Sequence, residues 1–174
     1  MLTEPLPSLL DMRKMASRGT QLKGVLGLAN LPRITDLLAD SEGQVEVNCS
    51  FLNDEEGRHV LSIQFETELS VVCQRCMEPM GISVNSSSEL GIVWSEDHAS
   101  ELPSHLEPLV LGEEQGDLWS AVEDELILSL PIVSYHETGT CVELIKQYSV
   151  VDVTADLKSE PSPFQILKKL KLEK

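Results

Sequence analysis

Four cysteines and four histidines are the residues of this 174-residue chain whose chemistry goes beyond packing and charge. Cys73-Gln-Arg-Cys76 is a C-x-x-C, and His136 and Cys141 follow later as an H-x4-C. Strand-like alternation runs into Cys73, and Pro79 lies just beyond Cys76, so the first pair is expected on a turn. A turn brings two sulfurs to about 2.3 Å from one metal. Cys73, Cys76, His136 and Cys141 are therefore a candidate structural zinc set. Dithiol redox chemistry is an alternative, although it asks for a C-x-x-C at a helix N-terminus, where the dipole lowers a thiol pKa. Unmetallated thiols are a third. Cys49, on an apolar strand face, reads as a small buried hydrophobe. His59, beside a turn, and His98 and His105, in a polar stretch, read as solvated.

No G-x-S-x-G, P-loop, G-x-G-x-x-G or H-E-x-x-H occurs. With 29 acidic residues, the proximity of two carboxylates carries no meaning by itself. No catalytic residue is expected.

The elements that would hold these side chains begin with strands. Val45, Val47, Cys49 and Phe51 alternate with polar residues, as do Leu61, Ile63, Phe65, Thr67, Leu69, Val71 and Cys73. The second run would span about 43 Å, so a bend or bulge is expected near Thr67. Residues 81–94 resume the alternation, 21–28 form a weaker strand, and 108–111 a short one. One-sided alternation predicts an antiparallel sheet. Asp117 is a natural N-cap for a helix running to Leu130, with Leu118, Val122, Leu126 and Leu130 at helical spacing and Pro131 as its stop. Shorter helices are expected within 5–18, over Arg33–Ala39 after Pro32, and in the amphipathic tail 163–174. The fold class is thus α+β: an antiparallel, strongly bent sheet, with barrel-like closure as one form it could take, packed by one main helix. The organisation is an N-terminal arm and short helix (1–40), an α+β core (41–146), and a linker with a basic tail (147–174).

The formal charge is −16, but it is unevenly spread. Residues 1–34 carry five basic groups against two acids, and residues 158–174 do the same, +3 each. Residues 35–157 carry three basic groups against 25 acids, −22. Such a body repels duplex nucleic acid, and 4% aromatic content argues against a broad base-stacking surface. The acidic centre is either a solvated surface or a docking face for a basic protein, with Glu123, Asp124 and Glu125 as candidate partner-binding residues. Lys168, Lys169 and Lys171 in the tail either face water or touch phosphate or an acidic surface. The most apolar stretch, 126–133, is far below the roughly 20 residues a membrane helix needs. The N-terminal segment shows no apolar run with a small-residue cleavage site, so a cytoplasmic setting with reduced thiols is expected.

Four blocks occur together: C-Q-R-C at 73–76, V-E-D-E-L-I-L-S-L-P at 122–131, the H-x4-C ending at Cys141, and P-F-Q-I-L-K-K-L-K at 163–171. In this order they resemble the bacterial YceD family, the large ribosomal RNA subunit accumulation proteins. The resemblance covers roughly the last 100 residues, and the first 60 match in general layout. It carries over to Cys73 and Cys76, to Glu123, Asp124 and Glu125, to Pro131 and to Phe164. It implies a non-catalytic role in the synthesis, processing or stability of large-subunit (23S) ribosomal RNA in the bacterial cytoplasm. The charge partition adds a basic ribosomal or assembly protein as partner, with indirect or weak rRNA contact through the basic ends and no membrane. A zinc-binding RNA module and a dithiol redox protein are the alternatives.

Overall fold

The alternating runs form a sheet because each buries one apolar row and leaves a polar row to water. The computed structural model describes residues 4–111, 115–137 and 141. It divides the chain into two compact units, Met1–His136 and Glu137–Lys174. Within the second, only Glu137 and Cys141 are described. The expected linker and basic tail, with Phe164, Lys168, Lys169 and Lys171, lie outside the described residues.

In the first unit the strands are β1 (Leu9–Leu10), β2 (Gln21–Gly27), β3 (Gln44–Asn53), β4 (His59–Val72), β5 (Pro79–Val93), β6 (Glu107–Val110) and β7 (Gly116–Asp117). The helices are α1 (Met12–Ser17), α2 (Pro32–Thr35), α3 (Glu96–Ala99) and α4 (Leu118–Ser129). The main sheet has the order β2-β3-β4-β5-β6, and β1 pairs separately with β7. The first four strands are antiparallel, whereas β6 lies parallel to β5. The expected all-antiparallel sheet is therefore mixed. A parallel neighbour needs a crossover, and residues 94–106, carrying α3, supply it. Barrel-like closure is not found: among the described residues β2 and β6 are not paired, so the sheet stays open.

The bulge expected near Thr67 is also absent. Register runs unbroken from Val60 opposite Gly91 to Val72 opposite Pro79. Pairing of β3 with β4 spans Glu46 opposite Glu66 to Asn53 opposite His59. From Thr67 onward, then, β4 has β5 as its ladder partner and continues beyond β3 as a two-stranded ribbon. Along β2, Gly24 admits the N-terminal segment: a Cβ there would sit 2.6 Å from the Glu4 carbonyl oxygen. Val25 N–H donates to Glu4 at 3.1 Å through that gap.

The core lies between the sheet and two helices, α4 and α1, the latter burying Met12 and Ala16. Val45, Val47, Cys49, Phe51, Leu61 and Ile63 are buried, and Leu118, Ala121, Val122 and Leu126 of α4 are buried in the same cluster. Asp117 caps α4 as expected, accepting from the N–H groups of Trp119 at 3.0 Å and Ser120 at 3.2 Å. Leu130 turns extended before Pro131 and ends it. The helix expected over Arg33–Ala39 is shorter, because Ala39 N–H leaves to bond Ser70 C=O at 2.8 Å. No helix among the described residues is long and apolar enough to cross a membrane.

Candidate metal centre

The C-x-x-C occupies the turn that joins β4 to β5. Its backbone is closed by Met77 N–H on Cys73 C=O and by Cys73 N–H on Glu78 C=O, both at 2.9 Å. Closing this tightly places Met77 at φ 63°, in the left-handed region where a side chain is costly. A second segment, after α4, is fastened to the turn. Gln74 N–H donates to Ser134 C=O at 2.9 Å, and the Arg75 guanidinium lies over the Tyr135 ring, 4.8 Å from its centroid.

That fastening delivers His136. The ligand atoms of Cys73, Cys76 and His136 lie within 4.8 Å of one another. Cys76 Sγ is 3.3 Å from His136 Nδ1, and His136 N–H points at Cys73 Sγ from 3.5 Å. His136 Nε2 is 3.2 Å from the Pro79 carbonyl oxygen. A carbonyl only accepts, so Nε2 donates to it, and Nδ1 turns its lone pair toward the Cys76 thiol, which can donate to it. This is the outer-sphere arrangement that orients a metal-binding imidazole. A tetrahedral zinc sets S···N edges of roughly 3.6 Å, close to the Cys76–His136 separation. Cys73 is fully buried and Cys76 half-buried, so the set is sheltered on one side. Cys141, also buried, belongs to the second compact unit.

The three acids of α4 have three different surroundings. Glu123 points inward and closes the start of α2. Its carboxylate accepts from the backbone N–H groups of Arg33 at 2.7 Å and Ile34 at 3.1 Å, and from Arg33 Nε at 2.9 Å. Burial pushes this carboxyl up, but the bonds from Arg33 and Ile34 outweigh it and leave it below the usual range. Asp124 is 54% exposed and meets Arg33 Nη1 at 2.6 Å. Glu125 is buried, and burial pushes its carboxyl above the usual range. The nearby Ser88 hydroxyl opposes that shift without completing a hydrogen bond, and the charges of Glu107 and Asp124 add to it.

Sequence reasoning named the sulfur and imidazole ligands but not what holds them. Arg75, Tyr135 and the Pro79 carbonyl act there through tertiary contacts that leave no spacing to read, as does Arg33 on Glu123. Cys49 is buried as expected, its thiol pushed up to about 12 by burial. His59 and His98 have neighbours: Asn53 Oδ1 at 2.7 Å and Ser95 Oγ at 2.9 Å.

Comparison with known proteins places this arrangement in context. The profile described as "Large ribosomal RNA subunit accumulation protein YceD" matches residues 61–171. A Haemophilus influenzae protein of that same description is 32% identical over 168 residues, spanning 95% of this chain and 96% of the relative. No solved structure matches.

Proposed function

The chain belongs to the YceD family of large ribosomal RNA subunit accumulation proteins, and from that premise we propose that it is a non-catalytic factor in the synthesis, processing or stability of 23S rRNA. It works in the bacterial cytoplasm by holding a basic ribosomal or assembly protein on its acidic surface. One observation carries this reading: on the polar face of the sheet, Glu46 stands directly opposite Glu66. Both are exposed, and among the described residues neither is in an ion pair. Like charges opposed across two strands destabilise a sheet, and a partner's cation would relieve them. Glu68 and Glu89 occupy further outward positions on β4 and β5. Asp124 is exposed on α4, across the core from that face and paired with Arg33, with Glu123 and Glu125 packed behind it. Lys168, Lys169 and Lys171 add weak contact with rRNA.

The test is retention of isolated, RNase-treated large-subunit proteins on the immobilised chain. Basic proteins should bind at low salt, elute as salt rises, and be lost when Glu46 and Glu66 are both changed to Lys. Binding indifferent to salt would overturn the reading.

A second reading is favoured by the Cys73–Cys76–His136 juxtaposition. These three, with Cys141 as the fourth ligand, hold a structural zinc that ties the β4–β5 turn to the chain beyond α4. The fourth ligand rests on the H-x4-C spacing, which reaches a shared metal without a long loop.

A further inference from the structure

Three separated stretches of sequence meet at the outer end of α1. Arg13, Lys14 and Arg18 come from the helix and its C-cap, His59 opens β4, and Trp94 follows β5 directly. Together they line a shallow depression of about 490 Å³. The one carboxylate there, Asp11, is engaged as the α1 N-cap, accepting from Lys14 N–H at 3.0 Å. Lys14 and Arg18 are exposed, one helical turn apart, and among the described residues neither is in an ion pair.

Trp94 is the unusual member. It is 54% exposed, which leaves aromatic surface open to a ligand. Arg13 holds it in place: its guanidinium lies over the indole, and its Nη2 donates to Leu111 C=O at 2.7 Å. The result is a fixed aromatic plate braced by one cation and flanked by two more.

We infer that this patch binds a short single-stranded RNA segment, one base stacking on Trp94 and the adjoining phosphates meeting Lys14 and Arg18. Stacking needs a fixed ring with free surface, and the backbone needs cations at its edge. Trp94, Lys14 and Arg18 supply both. Duplex is disfavoured because the acidic body lies beside so narrow a basic strip, and an acidic peptide would leave the indole without a stacking partner. The inference goes beyond the protein-docking reading and does not depend on it.

The test uses the full chain and a fluorescein-labelled 12-nucleotide single-stranded RNA, followed by anisotropy and by tryptophan emission at several salt concentrations. RNA should quench the emission. Trp94→Ala should weaken binding by about tenfold or more, and Trp94→Tyr should restore most of it. Changing Lys14 and Arg18 together to Gln should weaken binding and flatten the slope of log K against log salt by about 1.4, two phosphate contacts' worth. All three positions are surface-exposed, and matching thermal melts will show that the variants fold. Equal binding by Trp94→Ala, a salt slope unchanged by the Lys14/Arg18 pair, or displacement of RNA by a glutamate-rich peptide of equal charge would each overturn the inference. The docking reading is scored separately on RNase-treated proteins, so either can fail alone.

Discussion

Two turns join consecutive antiparallel strands in this sheet, and they differ in how far their contacts reach. The β3–β4 turn closes itself. Asp54 accepts from Glu56 N–H at 2.9 Å, Arg58 N–H at 2.8 Å and Arg58 Nε at 2.6 Å, and Gly57 takes the left-handed position at φ 80°. Everything it needs lies within 53–59. The β4–β5 turn also closes its own backbone, but it gives its left-handed position to Met77, which is 72% exposed, and takes further partners from residues 134–136. A chain that sought only to reverse direction would place glycine there. A non-glycine residue kept in that region is found more often at sites than at plain reversals. The first turn is complete within itself, and the second brings together groups that could hold a metal ion.

The largest expected difference concerns the sulfurs. Purified protein should contain close to one zinc per chain, and chelation or Cys73→Ser should lower stability by at least about 3 kcal/mol, because metal-binding free energy is folding free energy. Cys49→Ser, an equally buried thiol, is the control for packing alone. Zinc well below one per chain, with both serine variants equally mild in denaturant melts, would reduce the two turns to one kind.

A smaller effect comes from exchanging the left-handed residues. Gly57→Ala should cost about 1 kcal/mol, and Met77→Gly should gain a similar amount or less. Should Met77→Gly destabilise instead, the Met77 side chain has a role that strain alone does not describe.

The smallest is a pH effect on the self-closed turn. Burial raises the Asp54 carboxyl, but the bonds from Arg58 and Glu56 outweigh it and hold it below the ordinary range. A depressed carboxyl contributes above its unfolded pKa and loses that contribution as pH falls through the folded one. Amide protection at Glu56 and Arg58, measured against the intrinsic rate at each pH, should fall in acid below about pH 4, and Asp54→Asn should abolish that pH dependence. Equal acid sensitivity at Met77 and Glu78 would erase the contrast.

Local pattern made much of this legible. The alternation around Val47 and Ile63 is a period-2 code that strand geometry reads directly, and Asp117 and Pro131 bracket α4 because capping and chain stops act over a few residues. The C-x-x-C was legible as a turn for the same reason. Acids at 123–125 were visible as a charge cluster, yet their division into an inward Glu123, an outward Asp124 and a buried Glu125 depends on what packs against α4. Nor could the sequence reveal that β6 joins in parallel, since strand partners are chosen by crossover geometry.

By itself, then, the sequence determined the strand faces, the capped helix, the paired thiols on a turn, and an acidic centre between basic ends. These follow from spacing over a few residues or from counting charges. Only the tertiary structure decided that His136 returns to Cys73 and Cys76, that Arg33 reaches Glu123, and that Trp94 stands beside Lys14 and Arg18. Each of these meetings joins residues 60 or more positions apart. At that distance the entropy of closing the chain is offset by the packed core as a whole, and no local motif records it.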